Sequence, residues 1–188
     1  MRDRHVCRIA AAGFVCGLLV GCAPKMTREE FNAMKPERPA ELETLNKFVG
    51  KWELTADATL AGLDEKLPCS GSSESRWEGG GWYLVSHGTY KMDEMVMSGM
   101  ETWAYDAAAK KYRSAWVDNM GGMSHGEATY DEETDTFHMK GTGHGAFGDT
   151  SVKGWVKFTD ANHNEWWFAE YMGLTKTMEM AGTGKRVN

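Results

Sequence analysis

The 188-residue chain has no apolar stretch long enough to cross a bilayer as a helix. Its longest apolar run, Ile9 to Val20, falls short of the about 20 residues that a span requires. Four cysteines and four prolines exclude a disulfide scaffold and a Pro-rich linker. Basic residues are outnumbered, 21 Lys and Arg against 27 Asp and Glu, which argues against nucleic acid as a partner, because phosphate backbones are bound by Lys and Arg neutralisation. The six histidines form no His-x-His or His-x-x-x-His pair, so no zinc signature is present. No nucleophile elbow and no phosphate-binding Gly-rich loop is identified; "GTGHG" and "GTGK" lack the strand–turn–helix context that such loops need. No enzyme is found in these motifs, and no cofactor is expected.

At the N-terminus, Arg2, Arg4 and Arg8 precede the Ile9–Val20 run, the layout of an export signal. The run ends in Leu19-Val20-Gly21-Cys22, which resembles the lipobox of bacterial lipoproteins. The resemblance implies cleavage before Cys22, acylation of Cys22, and a membrane contact that is an anchor and not a span. Ala23, in place of Asp after the Cys, implies the outer membrane, facing the periplasm. Removal of residues 1–21 takes Arg2, Arg4, Arg8 and Asp3 and leaves 167 residues with 18 basic and 26 acidic side chains, a net charge of −8. Cys7 and Cys16 leave with the signal and Cys22 is lipidated, so Cys69 stands alone and no disulfide is expected. Pro68-Cys69-Ser70-Gly71 reads as a turn beside a strand, with Cys69 a small packed residue.

Residues 22–38 are polar and carry Pro36 close to Pro39, which marks a tether with at most a frayed helical turn. The domain occupies residues 39–188. "PAELETLNKFVG" opens on Pro39, places Leu42, Leu45, Phe48 and Val49 at spacings of three to four, and stops at Gly50, so it predicts one short amphipathic helix. The period then changes. In "KWELTADATL", Trp52, Leu54, Ala56, Ala58 and Leu60 alternate with polar residues, as in a strand with one face in a core. Further strands are expected at about 71–78, 81–91, 95–105, 110–119, 123–130, 135–142, 150–159, 163–172 and 174–182, separated by Gly-, Asp- and Asn-rich turns. Ten short strands without a second helical pattern indicate an all-β meander. Closure into an up-and-down antiparallel barrel of about ten strands, led in by one short N-terminal helix, removes its edges.

"FVGKW" is similar to the Gly-x-Trp opening of lipocalins and other calycin-like barrels. "GGGWYLVSHGTY", "WAYDAAAKKYRSAWVDNMGGM", "GEATYDEETDTFHMKG" and "TMEM", in that order, resemble a family of small bacterial lipocalin-like barrels catalogued as a domain of unknown function. The likeness runs from Leu42 to Arg186. It implies a fold and often an exported setting, and it brings no substrate or catalytic residue. The chain departs from the pattern at "AGTGKRVN", which stands where the family has a Tyr-containing last strand.

"MDEMVMSGM" raises the choice between a soft-metal site and an adaptable apolar lining. Met95 and Met97 share a strand face with Glu101, Trp103 and Tyr105 if Gly99 makes no bulge, whereas Met100 points the other way. Copper(I) would therefore need help from "NMGGMSH", which holds Met120, Met123 and His125; a lining is the reading adopted. A more distant barrel family binds haem through a late His and opens on Gly-x-Trp-x-Gly-x-Gly. Here Glu53, Leu54 and Thr55 follow Trp52, and His163 falls in a turn, so haem would rest on His163 alone. Asp118 shares a face with Tyr112, Ser114 and Trp116. It is either an interior carboxylate beside aromatics or an exterior turn cap. With eight Trp and a Met-rich complement, the expectation is an envelope barrel that binds an apolar or amphipathic small molecule. Met97, Trp103, Tyr112, Trp116 and Trp167 would contact it, with Asp118 or His125 as polar anchor. The alternative is a structural or interaction module of the envelope with a filled core.

Overall fold

The computed structural model describes residues 26–34, 36–145 and 148–187. The expected signal segment and Cys22 lie outside them. The chain divides into two compact units, one up to Glu37 and one from Arg38 onward. In the first, a short helix α1 (Arg28–Ala33) starts at a capping box. The Thr27 hydroxyl accepts from the Glu30 N–H, and the Glu30 carboxylate accepts from the Thr27 N–H. It buries no side chain.

The second unit is a closed antiparallel barrel. Its strands are β1 (Gly50–Leu60), β2 (Leu67–Glu78), β3 (Tyr83–Met92), β4 (Met95–Asp106) and β5 (Lys111–Asp118), followed by β6 (Met123–Asp131), β7 (Thr136–Gly145), β8 (Gly148–Asp160), β9 (His163–Met172) and β10 (Thr175–Val187). Each strand pairs with its sequence neighbours, and β10 returns to β1. Closure is carried by residues 181–187, which continue β10 so that Lys51 lies opposite Val187 and Ala58 opposite Met180. The strand therefore runs five residues past the Gly182 expected from the sequence. β2 also begins earlier than expected, at Leu67. Cys69 is a buried strand residue and not part of a turn, because Pro68 and Cys69 pair with Asp57 and Ala56 of β1.

The lead-in segment Ala40–Phe48 is a 3₁₀ helix. A spacing of three puts Leu42, Leu45 and Phe48 on one line, and three residues per turn is the 3₁₀ period. Leu42 and Leu45 are buried completely, each contributing about 1.5–3 kcal/mol of apolar transfer. Phe48 packs on Phe137 at 5.0 Å and on Phe158 at 5.1 Å between ring centres. Polar bonds fix the helix to the barrel. Trp52 Nε1 donates to the Phe48 carbonyl (3.0 Å), Trp77 Nε1 to Asn46 Oδ1 (2.7 Å), and Tyr112 Oη to the Glu41 carbonyl (2.8 Å). Arg186 stacks over Trp52 at 4.6 Å and donates to the carbonyls of Val49, Lys47 and Ala161. One end of the barrel is thus plugged by an aromatic core.

Candidate functional site: the barrel lumen

Above the plug, the inward faces of all ten strands enclose a cavity of about 460 Å³. Alternation fixes which side chains enter it. Along β4 the register runs unbroken from Met95 to Trp103, so Gly99 makes no bulge and Met97, Glu101 and Trp103 face inward. Tyr90 of β3, Trp116 of β5, Met139 of β7, Phe168 of β9 and Met180 of β10 join them. A Cβ on Gly99 would sit 2.2 Å from the Trp116 ring. The missing side chain is what lets that indole lie flat against β4.

Among the expected contact residues, Met97, Trp103, Trp116 and Asp118 line the cavity. Tyr112 faces inward as well, but it lies in the plug, 4 % exposed and bonded to the lead-in helix, beneath the open space. His125 and Trp167 belong to the cavity wall, but strand alternation turns their side chains outward. His125 lies between Ala115 and Thr142 on the outer wall, where it is exposed and shares a hydrogen bond with Thr142. The outer face of β9 carries Trp167 opposite Trp155, while Asn164, Trp166, Phe168 and Glu170 take the inner one. Met120 and Met123 are exposed, and Met123 stands at the rim of the cavity that Met97 lines. His163 is exposed and holds Asp160 at 2.9 Å, away from the lumen. Among the described residues no group of three His, Cys, Asp or Glu is arranged to hold a metal.

Asp118 fulfils both roles between which the sequence left a choice. It lines the cavity, its Oδ2 accepts from Trp116 Nε1 (2.8 Å), and its Oδ1 accepts from the N–H groups of Met120 and Gly122 (2.9 Å each). The carboxylate fills the place where a Cβ on Gly122 would stand, 2.3 Å away. The following stretch, Gly122-Met123-Ser124-His125-Gly126, has Gly-x-Ser-x-Gly spelling, which the motif reading passed over. It lies at the start of an antiparallel strand with no helix after it. Ser124 faces inward and His125 outward, so no nucleophile–base pair forms.

Sequence reasoning placed Glu101 on the correct face without recognising it as a site residue. Burial pushes its carboxyl up to about 7, against the pull of hydrogen bonding to the Trp103 and Ser114 side chains. Tyr90, beside it, is pushed up to about 12 by burial and by the Glu101 charge. On the opposite wall, Asn164 Oδ1 and Trp166 Nε1 are buried without any hydrogen-bond partner. Buried polar atoms are nearly always satisfied, so such exceptions ask for an explanation. A second concavity of about 520 Å³ lies across β1–β4, lined chiefly by outward residues such as Lys51, Glu53, Glu74 and Thr89. It is a polar surface depression without comparable unpaired groups.

Fold and lumen together define a lipocalin-like antiparallel barrel with an open interior. The chain belongs to a family described as "Protein of unknown function (DUF1579)", whose model matches residues 37–182. No curated protein matched the sequence. Among solved structures, the chain is similar to Rv2717c from M. tuberculosis, with a TM-score of 0.63 and 10 % identity over 81 % of this chain and 100 % of that one. It is also similar to the S-type phycobiliprotein lyase CPES from Guillardia theta, with a TM-score of 0.57 and 11 % identity over 80 % and 94 %. At these identities the likeness is one of fold.

Proposed function

We propose that this protein is a lipid-anchored barrel of the bacterial envelope, held at Cys22 and facing the periplasm, that binds an apolar or amphipathic small molecule in its lumen. The observation that carries the reading is the cavity of about 460 Å³, a size in the range of ligand sites, walled by Trp, Tyr, Phe and Met with a few polar groups. The cavity favours ligand binding over an envelope module whose interior is only core. A phycobiliprotein lyase built on a similar barrel is compatible with this use of the fold. Exposed Met95, Val96, Met123 and Leu174 sit at the strand ends away from the plug and give an apolar ligand a favourable rim to cross.

The test is native mass spectrometry of the acylated protein purified from membranes, beside a variant with Ser124→Phe and Val152→Phe filling the cavity. One small amphiphile per wild-type chain, absent from the filled variant, is the expected result. Equal adducts on both, or none on either even after addition of 1-octanol, would overturn the reading.

A further inference from the structure

The barrel gathers its exposed apolar side chains at one end. The antiparallel meander sends the β1–β2, β3–β4, β5–β6 and β9–β10 tips away from the plug. Each of these tips exposes an apolar side chain: Leu63, then Met95 and Val96, then Met120 and Met123, then Leu174. Val117 stands beside them near the end of β5. The other large apolar side chains exposed on the barrel among the described residues, Trp82 and Tyr83, are neighbours at the plug end. Leu174 is the sharpest case. It is 101 % exposed, one of two residues joining Met172 to Thr175. The turn relies on Gly173 for its left-handed φ of 59° and requires no apolar residue after it. Folding does not explain a leucine there.

The arrangement selects the partner. The apolar side chains stand on separate tips around the mouth of the cavity, and Met123 belongs to both rim and cavity wall. A protein partner needs a continuous, complementary surface of about 800 Å², which a ring of projections around an opening does not offer. A fluid bilayer closes around each projection separately. Charge narrows the choice further. Near the tips, Asp64, Glu65, Asp93, Glu94 and Asp149 outnumber Lys66, Lys91 and Lys176, so an anionic membrane surface is disfavoured and a zwitterionic one is not.

The chain enters the barrel at the opposite end, where Arg38 Nε donates to the Gly81 carbonyl (2.7 Å). Fifteen residues separate Arg38 from Cys22. Six of them form α1 and add about 9 Å, and the other nine reach up to about 30 Å. A ten-residue strand such as β3, tilted as barrel strands are, stands about 25 Å high. The tether is therefore long enough for the mouth to meet the membrane that holds the anchor.

Resting on the anchored, ligand-binding reading above, we propose that the mouth docks on the surface of that bilayer, with Leu63, Met95, Val96, Met123 and Leu174 in its interfacial layer. The ligand is then an amphiphile resident in the bilayer, which passes between membrane and lumen without crossing water.

The test places the full acylated protein on phosphatidylcholine vesicles with one environment-sensitive fluorophore, at Leu63→Cys, Leu174→Cys or, in the plug-end β4–β5 turn, Ala108→Cys. Cys69 is buried and Cys22 is acylated, so the label takes the new thiol. Lipid carrying a shallow nitroxide should quench the labels at 63 and 174 at least three-fold more than the label at 108. Replacing about half of the lipid with phosphatidylglycerol should weaken that quenching; an increase would overturn the zwitterionic assignment. Equal quenching at all three positions, or none at 63 and 174, overturns the docking. So does a blue shift there that nitroxide lipid does not quench, because protein, a second copy of this chain included, then covers the rim. The Ser124→Phe/Val152→Phe variant keeps the rim and should be quenched like the wild type. A docked rim on a protein that carries no amphiphile overturns the ligand-binding reading alone, and an amphiphile adduct on a protein whose rim stays in water overturns the docking alone.

Discussion

Replacing Glu101 by Gln should flatten a fall in stability that the wild-type barrel undergoes as pH rises from 4.5 to about 7. The native Glu101 carboxyl holds its proton up to about 7, whereas in the unfolded chain it lets go near 4.5. In that window the native state binds more protons than the unfolded one, so the stability of the fold declines with pH. The advantage is full below 4.5 and gone above about 7. At 1.36 kcal/mol per pKa unit the loss is about 3 kcal/mol, which water inside the lumen reduces to about 2 kcal/mol. Groups sharing the lumen do not reproduce this profile. Tyr90 stays neutral throughout, since it is pushed up to about 12. The carboxylates of Asp106, Glu127, Asp131 and Asp160 are held below their usual range by hydrogen bonds and cationic neighbours, so they stabilise at higher pH and lose that contribution only on the acid side. The side chains of those four lie outside the lumen, and the other acids that line it, Asp118 and Glu170, are present in both proteins. Urea unfolding followed by tryptophan fluorescence at pH 5, 6, 7 and 8, taken as wild type minus Glu101→Gln, cancels these shared terms. A difference that is constant across the four pH values would refute a buried, proton-holding Glu101.

Three further outcomes are expected. Leu45→Ala, at a position with no exposure in the plug, should cost about 2–5 kcal/mol of unfolding free energy, because a cavity opens where the lead-in helix meets the barrel; a loss under 1 kcal/mol by urea titration would mean that the helix is dispensable. Asp118→Ala strips the partner from Trp116 Nε1 and from two turn N–H groups, so it should cost about 1–3 kcal/mol and red-shift the tryptophan emission; an unchanged spectrum would place Trp116 elsewhere. Cys22→Ser should move the protein from the detergent phase to the aqueous phase, or leave it uncleaved, since acyl chains hold at about 0.8 kcal/mol per buried CH₂ and the tether, nearly balanced in charge, adds little attraction; unchanged partition would rule out the anchor.

Much of the fold was legible because alternation and turn chemistry agree along the chain. In β1 every second residue from Trp52 to Leu60 faces inward, and the short turns at Asp93-Glu94 and around Asp131–Asp135 close their hairpins where polar clusters stand in the sequence. The type of the lead-in helix was not legible. A line of Leu42, Leu45 and Phe48 fits three residues per turn, but nine residues are too few to separate a period of three from one of 3.6. The end of β10 was hidden for a different reason: Gly182 and Gly184 lower strand propensity, yet β1 supplies a pairing edge that runs the full length of the segment.

The site was legible only where one face of a strand is plainly apolar, and β9 explains the limit. Its two faces read Asn164, Trp166, Phe168, Glu170 and Glu165, Trp167, Ala169, Tyr171, each with two aromatics and one carboxylate, so composition gives no parity. Parity is set instead by neighbours. β8 offers Gly154, Val156 and Phe158 to the lumen, and β10 offers Met180 and Gly182. Those contacts turn Trp166 in and leave Trp167 on the outer face, opposite Trp155. Ala169 is buried completely although alternation puts it on the outer face, so burial by itself would have misassigned the face. The same ambiguity concealed the polar half of the lumen. Asn164 looks like a turn residue at the end of "DANHN", and Glu101 looks like a solvated charge between Met100 and Thr102, until closure of the barrel brings β9 opposite β4. A carboxyl that burial keeps protonated to near neutrality and a wall with unpaired hydrogen-bonding atoms are products of closure, and no window of sequence shorter than the whole meander contains them.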